Sequence, residues 1–544
     1  MKKIILLTIL LGSACFLQAQ DKFSKEILIK DFLEFTEILK ATHPDPYSLF
    51  GGKMQFHRQA QNVMEGIDSA GLTKNEFRNV LSRFISKLQD GHTFIVRDNQ
   101  EQKKTASKVL NLEFKILSDG LFVSQSVDGI YNGHRVLAVN GIPIDSLLSL
   151  VQMLDPCENI YGAYFSLVRI LSSENSVHRL FPATENGKLR ILLSKSKNRN
   201  TEYEIEYVDA GKRIIRSLSS AQLKTEMPKA APFWYNFIDD AKKIVYFSYP
   251  STYAREVIEL QKSWGQDYTG NLKMLYNRYG LGQVPENYTE AIAKIPSINE
   301  TFFEMLSKMK KNKSTHLIVD LRQNSGGWTP INSMSFYMLK GDAYFAYECE
   351  AEYNTLISER YLQKRNISID DYNKQSGGNY KVGDYNFGYF MGGGWPGDMT
   401  LEDRRTANFE YNLPKDISGL EQLLSLNGNA AYSPKIVIVT SPATFSAAFH
   451  YMYFLQELCN AVVVGVSPRQ AYNNGMESTF ATLPETGVSI SVSNSYQLFY
   501  PSDMEKGRVM IPDYPFTSTD FVKYNCDNNA EILYIMDLIA SGKI

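Results

Sequence analysis

Twice in the C-terminal half of the chain, an apolar β-branched strand runs into a sharp turn and then into a helix-forming segment. The first instance is Leu317-Ile-Val-Asp-Leu-Arg-Gln-Asn-Ser-Gly-Gly-Trp328. The second is Pro434-Lys-Ile-Val-Ile-Val-Thr-Ser-Pro-Ala-Thr-Phe-Ser-Ala-Ala-Phe-His450, whose apolar segment continues to Leu455. A further strand, Ala461-Val-Val-Val-Gly465, follows. Strands apolar on both faces must be covered on both faces. Their alternation with helices predicts a helix-covered, mainly parallel sheet.

Ser446 stands on the second strand-to-helix turn. Such a turn exposes a hydroxyl, and the free N–H groups of the helix start favour an anion beside it. That suits a nucleophile. It equally suits a plain N-cap serine. Gly326 and Gly327 permit positive φ or close backbone approach and leave N–H groups for an oxyanion. An ordinary strand-end turn carries the same residues.

A chain of 544 residues predicts two or three domains. A net charge of -2 gives no support for a nucleic-acid partner. Lys2-Lys3 precedes the apolar run Ile4 to Leu11, and Leu17-Gln18-Ala19 offers small-residue cleavage. Residues 1–19 therefore read as a secretory signal peptide, which places the protein in the periplasm or cell envelope. Cys15 raises a lipoprotein alternative, but Gly12 stands where an aliphatic residue is wanted. No other stretch is apolar for about 18 residues, so no membrane span is expected after cleavage. Cys157, Cys349, Cys459 and Cys526 are widely spaced with no CxxC, which argues against zinc. Disulfides and buried thiols remain equally open.

Residues 20–107 read as a helical N-terminal domain. Asp31 to Lys40 is amphipathic and stops at His43-Pro-Asp-Pro, and Phe77, Val80, Leu81, Phe84, Ile85 and Leu88 form one stripe. Gly91 ends that second helix, and His92 follows before the short strand Thr93 to Val96. A lone histidine there is ordinarily structural or solvent-facing. Residues 108–213 alternate short strands with turns. Gly133-His-Arg-Val-Leu-Ala-Val-Asn-Gly-Ile-Pro-Ile, followed by a helix, resembles the late strands of a PDZ domain, a module that captures peptides by strand addition. Ile191-Leu-Leu and Tyr203-Glu-Ile-Glu-Tyr add strands beyond a minimal PDZ domain. Residues 214–544 carry the α/β alternation, interrupted from Tyr268 to about Pro296 by a polar stretch read as an irregular insertion.

Leu88-Gln-Asp-Gly-His-Thr, Val319-Asp-Leu-Arg-Gln-Asn-Ser-Gly-Gly and Thr440-Ser-Pro-Ala-Thr-Phe-Ser-Ala-Ala occur in that order. Together they resemble the C-terminal processing (tail-specific) serine peptidase family, in its tricorn-core-like branch of secreted Bacteroidetes-type proteins. His43-Pro-Asp-Pro-Tyr, Ala138-Val-Asn-Gly-Ile-Pro-Ile and Ile511-Pro-Asp-Tyr-Pro extend the resemblance over nearly the whole chain. It implies an α/β multidomain protein: a helical N-terminal part, a PDZ-like module, and a catalytic domain with a crotonase- or Clp-protease-like α/β spiral.

The resemblance also implies roles. Ser446 would be the nucleophile, with the oxyanion hole from Ala447 N–H and that of Gly326 or Gly327. Many members use a lysine base after the nucleophile helix, but Gly465 to Gly475 holds none, and Arg469 cannot act as a base. The tricorn-like branch uses histidine, and His92 matches. In that branch a serine precedes the histidine; here the residue is Gly91, leaving Thr93 or Asp90 to orient the ring. A glutamate should follow the nucleophile, with Glu505 first in line and Glu485 and Glu477 as alternatives. The implied activity is secreted endopeptidase action on unfolded or extended polypeptides, with no metal or other cofactor. A non-catalytic peptide binder of the same fold, or a hydrolase of non-peptide esters or amides, stands beside it. Oligomeric state is not legible.

Overall fold

The computed structural model describes residues 22–96, 108–181, 187–196, 199–213, 233–348, 351–389 and 399–544. The signal segment, Cys15 and Cys349 lie outside these residues. Three helices open the described chain: α1 (Lys25–Thr42), α2 (Lys53–Gly66) and α3 (Lys74–Ile85). Thr73 and Glu76 form a reciprocal capping box at the start of α3, which fixes where the helix begins. The helix passes through a single 3-10 turn and ends at Gln89, in the left-handed region. The chain then enters the short strand β1 (Phe94–Ile95).

The second module contains β2 (Leu112–Leu117), β3 (Gly120–Ser126), β4 (Arg135–Val139), α4 (Ile144–Gln152), α5 (Ile160–Leu171), β5 (Lys188–Ser196) and β6 (Arg199–Val208). These strands form an antiparallel sheet in the order Val109–Leu110, β6, β5, β4, β3, β2. Asn140 and Gly141 both take positive φ after β4, as a tight Asn-Gly hairpin requires. Helices α4 and α5 close the sheet over a core that includes Val139, Leu147, Val151 and Leu167.

The third unit is built on β7 (Trp234–Phe237), β8 (Ile244–Ser248), β9 (His316–Asp320), β10 (Lys435–Thr440), β11 (Val462–Gly465) and β12 (Tyr514–Pro515), in that spatial order. All neighbours are parallel except the β7–β8 edge. Phe247, Val319, Ile438 and Val463 form one cross-strand row and are fully buried. They face the core shared with helices Ile298–Asn312, Ser333–Lys340 and Ala447–Cys459. Their neighbours Ile318, Val437, Val439 and Val464 point the other way, against Ile532, Ile535 and Leu538 of the last helix. The expected two-faced burial is thus met by strand alternation. Each such side chain contributes about 1.5–3 kcal/mol relative to exposure.

The stretch from Tyr268 to Pro296 differs from expectation. It forms helices Thr269–Tyr279 and Tyr288–Ala293. Leu272, Leu275, Tyr276 and Tyr279 bury one helical face against Ile258 and Ile295. The polar residues between those positions mask the spacing.

One hairpin ties the ends of the chain together. Strands Thr479–Thr482 and Ser489–Val492 pair with each other, and the second pairs with β1. Ala481, Leu483, Val488, Ile490 and Val492 belong to the same core as the N-terminal helices. Buried Asp31 of α1 accepts hydrogen bonds from the N–H groups of Glu485 and Thr486 and from the Thr486 hydroxyl. Cys157, Cys459 and Cys526 are free thiols. No helix among the described residues is long and apolar enough to cross a membrane.

Candidate active site

Ser446 precedes helix Ala447–Cys459, yet its side chain caps nothing. Its backbone sits at φ 54, ψ −126. For a non-glycine residue this strain costs about 1–3 kcal/mol and persists only where surroundings impose it. Three hydrogen bonds impose it here. Phe445 N–H donates to the Asn324 carbonyl at 3.1 Å. Thr444 Oγ1 donates to the Leu321 carbonyl at 2.9 Å. Ser446 N–H donates to Gln470 Oε1, and Gln470 is fully buried. A capping serine would hold β-region backbone and bond a helix N–H. Ser446 does neither, so its hydroxyl stays free on a sharp elbow.

The glycine turn docks against this elbow. A Cβ on Gly326 would lie 2.6 Å from Ser446 Cβ and 2.9 Å from Ala447 N. Gly326 has φ +93 and Gly327 φ +144, and Gly327 is hemmed in by Tyr253 and Thr252. Only glycine fits either position. The two glycines are not equivalent as donors. Gly326 N–H is taken by Asn324 Oδ1 at 2.9 Å. The N–H groups of Gly327 and Ala447 make no hydrogen bond among the described residues. Of the expected set, Gly326 is therefore a spacer that lets the backbones touch, and Gly327 and Ala447 are the free donors.

His92 reaches the elbow from the N-terminal helices. Its imidazole stacks on Phe445 with ring centroids 4.5 Å apart and an interplanar angle of 24°. Ser478 Oγ and Ser491 Oγ both donate to the His92 carbonyl, so the 479–492 hairpin grips its backbone. Among the described residues neither ring nitrogen has a hydrogen-bond partner of full geometry, the Gly475 backbone making only a weak approach, and the Ser446–His92 bond is not made in this structure. Burial holds the imidazole below its ordinary pKa; the Asp90 charge opposes this and Arg469 reinforces it. A neutral ring with open nitrogens is competent to accept a proton.

Stacking holds the ring where hydrogen bonds do not. The Arg469 guanidinium lies 4.3 Å from the Phe445 centroid and 4.2 Å from that of Phe165 on α5. The contacts run in one column, from Phe165 to Arg469, from Arg469 to Phe445 and from Phe445 to His92. Arg469 also donates to the carbonyls of Pro442 and Ala443. It is a clamp on the elbow rather than a base.

Asp90 and Thr93 do not orient the imidazole. Asp90 accepts from His92 N–H at 2.9 Å and from Thr93 Oγ1 at 2.5 Å. Its other partner is His43 Nε2 at 3.2 Å. Asp45 N–H donates to His43 Nδ1, so the His43 proton sits on Nε2, facing Asp90. Burial pushes the Asp90 carboxyl up, but the hydrogen bond from His43, with the lesser contributions around it, outweighs this and holds the group well below the usual range. The pair sets the loop backbone. The His43-Pro-Asp-Pro motif thus belongs to the site as a loop anchor.

Glu505 is not part of the cluster. Its side chain is 88% exposed and pairs with Arg508 at 3.4 Å; a loop glutamate with no buried partner stays solvated. Glu485 pairs with Lys30 across the hairpin. Glu477 pairs with Lys364 at 2.9 Å, and its charge reaches His92. Two residues escape a reading of the sequence. Gln470 is a lone amide in a loop without a motif. Glu158 lies in Cys157-Glu-Asn159, just before α5, and reads as an ordinary helix approach. Among the described residues, Asp90, His92 and Glu158 form the one group with cation-ligand spacing, within 4.8 Å of one another. The oxygens of both carboxylates already accept N–H or O–H donors. His450, one turn after Ser446, is buried edge-on against Phe499, and burial lowers its pKa to about 3.

Residues 290–514 match the model of peptidase family S41. No curated protein matches the chain in sequence. Among solved structures, mature CPAF complexed with lactacystin superposes with a TM-score of 0.54 at 15% identity, over 94% of this chain and 98% of that one. A photosystem II D1 C-terminal processing protease gives a TM-score of 0.40 at 11% identity, over 93% of this chain and 97% of that one. The tricorn protease gives 0.34 at 12% identity, over 95% of this chain and 37% of that one. The first likeness speaks for the fold.

Proposed function

We propose that this chain, a serine-type peptidase carrying a peptidase family S41 domain, hydrolyses peptide bonds of unfolded or extended polypeptides through an acyl-enzyme on Ser446. One observation carries the assignment: the uncapped Ser446 hydroxyl on a strained elbow, beside the free N–H groups of Gly327 and Ala447 and with His92 stacked on the adjacent Phe445. Ser446 Oγ attacks the scissile carbonyl as His92 takes its proton. The N–H groups of Gly327 and Ala447 hold the oxyanion. The C–N bond breaks as His92 returns the proton to the leaving amine. Water, deprotonated by His92, then releases the acyl group and regenerates Ser446. For the attack the His92 ring must move within hydrogen-bond reach of Oγ, as such pairs commonly do on substrate binding.

The β-rich module is read as PDZ-like and the parallel sheet as the crotonase- or Clp-like core. A cavity of about 1080 Å³ runs between the N-terminal helices, this module and the segment around Arg508. Its lining includes Glu158 but neither Ser446 nor His92. The leader over residues 1–19 would carry the protein across the inner membrane.

Casein digestion by the purified chain tests the reading, beside Ser446→Ala and His92→Ala. Cleavage abolished in both variants is the expected result. Digestion that survives Ser446→Ala would overturn it, and a well-folded wild type that cleaves nothing would favour the binding protein.

A further inference from the structure

Gly91 is the position where the resembled branch carries a serine beside its base. A Cβ there would lie 2.8 Å from Glu158 Oε1 and 3.0 Å from the Phe445 ring. The space that a side chain at position 91 would fill is therefore occupied by the carboxylate of Glu158, which comes from a different module. Gly91 N–H donates to Glu158 Oε1 at 3.0 Å. Ala471 N–H, next to Gln470, donates to Glu158 Oε2 at 2.6 Å. One carboxylate thus bridges the histidine loop and the loop that holds the Ser446 elbow. A Glu158 oxygen and a His92 ring nitrogen lie within 4.8 Å of each other.

The competing acids are spent elsewhere. Glu505 is solvated, Glu477 is turned to Lys364, and Asp90 serves the loop backbone and His43. We propose that Glu158 is the acidic positioning residue of His92: it fixes the histidine loop and, when ionised, stabilises the imidazolium formed as Ser446 is deprotonated. This rests on the reading of His92 as the base. It makes the β-rich module a structural part of the active site rather than an appended peptide-capturing unit.

The surroundings of Glu158 give the idea a signature. Its carboxyl is pushed up to about 8 by burial, then by the Asp90 charge; the N–H groups of Ala471 and Gly91 and the Arg469 charge pull the other way. Tyr496 feels the same carboxylate, and Cys157 precedes it in sequence. Arg179 and Arg508 line the cavity that it borders. Below about pH 8 Glu158 is neutral, as glutamine is at every pH, although the glutamine NH2 group cannot accept the second of the two backbone N–H donors. Above that pH only glutamate carries the charge. A unit charge at this separation, at an effective dielectric near 20, changes the imidazolium population by at least about tenfold.

The test is the pH–rate profile of fluorophosphonate labelling, from pH 6 to 10, for the full chain and for Glu158→Gln, Glu158→Asp, Glu477→Gln and His92→Ala. Wild type should show a second rise near pH 8. The lost tether slows Glu158→Gln by the same factor at every pH, and its rate relative to wild type should fall by at least a further tenfold between pH 6 and pH 9. Glu158→Asp should keep the rise, and Glu477→Gln should leave it in place. Equal slowing of Glu158→Gln at every pH would reduce Glu158 to a structural tie and overturn the proposal. So would a rise lost in Glu477→Gln but kept in Glu158→Gln. If His92→Ala labels like wild type, or wild type does not label, the reading of the base falls and this proposal falls with it.

Discussion

At the scale of single residues, the site is a set of exclusions. Gly326 is glycine because Ser446 Cβ and the Ala447 amide stand where its Cβ would go. Gly326→Ala must push the turn off the elbow and separate the two free N–H groups. Displacements of about 1 Å at such sites cost on the order of 10²-fold in rate. Steady-state peptide hydrolysis should therefore fall by about that factor. Gln470 offers a second check. Its Oε1 accepts from Ser446 N–H, which fixes the amide orientation and leaves buried Nε2 without a partner among the described residues. Gln470→Ala strands the Ser446 donor, at a stability cost of about 1–3 kcal/mol. Probe labelling of Ser446 should slow by about tenfold or more as the elbow relaxes; an unchanged labelling rate would show that the amide does not hold it. Of the residues proposed for the chemistry, Ser446 and Gly327 stand out in the sequence on strand-to-turn patterns, whereas His92 is singled out only by the family resemblance. Glu158 and Gln470 are not, because their roles come from hydrogen bonds across 67 and 24 positions. Spacing after the nucleophile points to Glu505, but spacing cannot reveal that its loop faces solvent.

At the scale of elements, β-strand alternation and helix caps determine most of what is seen. The parallel sheet, the two main N-terminal helices and the Asn140–Gly141 hairpin follow from periodicity and turn chemistry. The helices between Tyr268 and Ala293 are hidden by their polar faces. The stacked column from Phe165 to His92 is a tertiary feature with no local signature. Phe165→Ala removes its outer layer. The cation–π interaction between Phe165 and Arg469 is worth about 0.5–2 kcal/mol. The variant should stay folded, while peptide hydrolysis falls several-fold because Arg469 and Phe445 lose a stop; wild-type kinetics would show that the column ends at Arg469. Glu256 gives a pH-dependent element. It lies buried at the start of helix Ile298–Asn312, accepting from the N–H groups of Ile298 and Asn299 and from the Ser297 hydroxyl. Burial, then the charge of Glu259, push its carboxyl up to about 7. The folded value lies above the unfolded one, so the contribution is fully present below about pH 4.5 and is lost as pH rises through 7. Between pH 5 and 8, wild type should lose about 1–3 kcal/mol relative to Glu256→Gln, read from urea midpoints at each pH. Parallel pH dependence of the two proteins would refute the assignment.

At the scale of the whole molecule, the groups proposed for catalysis come from regions far apart in sequence. The hairpin of residues 479–492 carries catalytic-unit chain into the core of the N-terminal helices and holds the His92 carbonyl. Glu158 and Phe165 bring in the β-rich module. The proposed base, His92, therefore has its surroundings assembled from all three parts, which reading each region separately does not show. The central claim is that Ser446 is the reacting group and His92 activates it. Mass-spectrometric mapping of the adduct formed by a fluorophosphonate probe on the purified chain tests this most directly. The account predicts a single adduct on the peptide bearing Ser446, lost in Ser446→Ala and reduced at least about 10²-fold in His92→Ala. An adduct on another serine, or undiminished labelling in either variant, would contradict it.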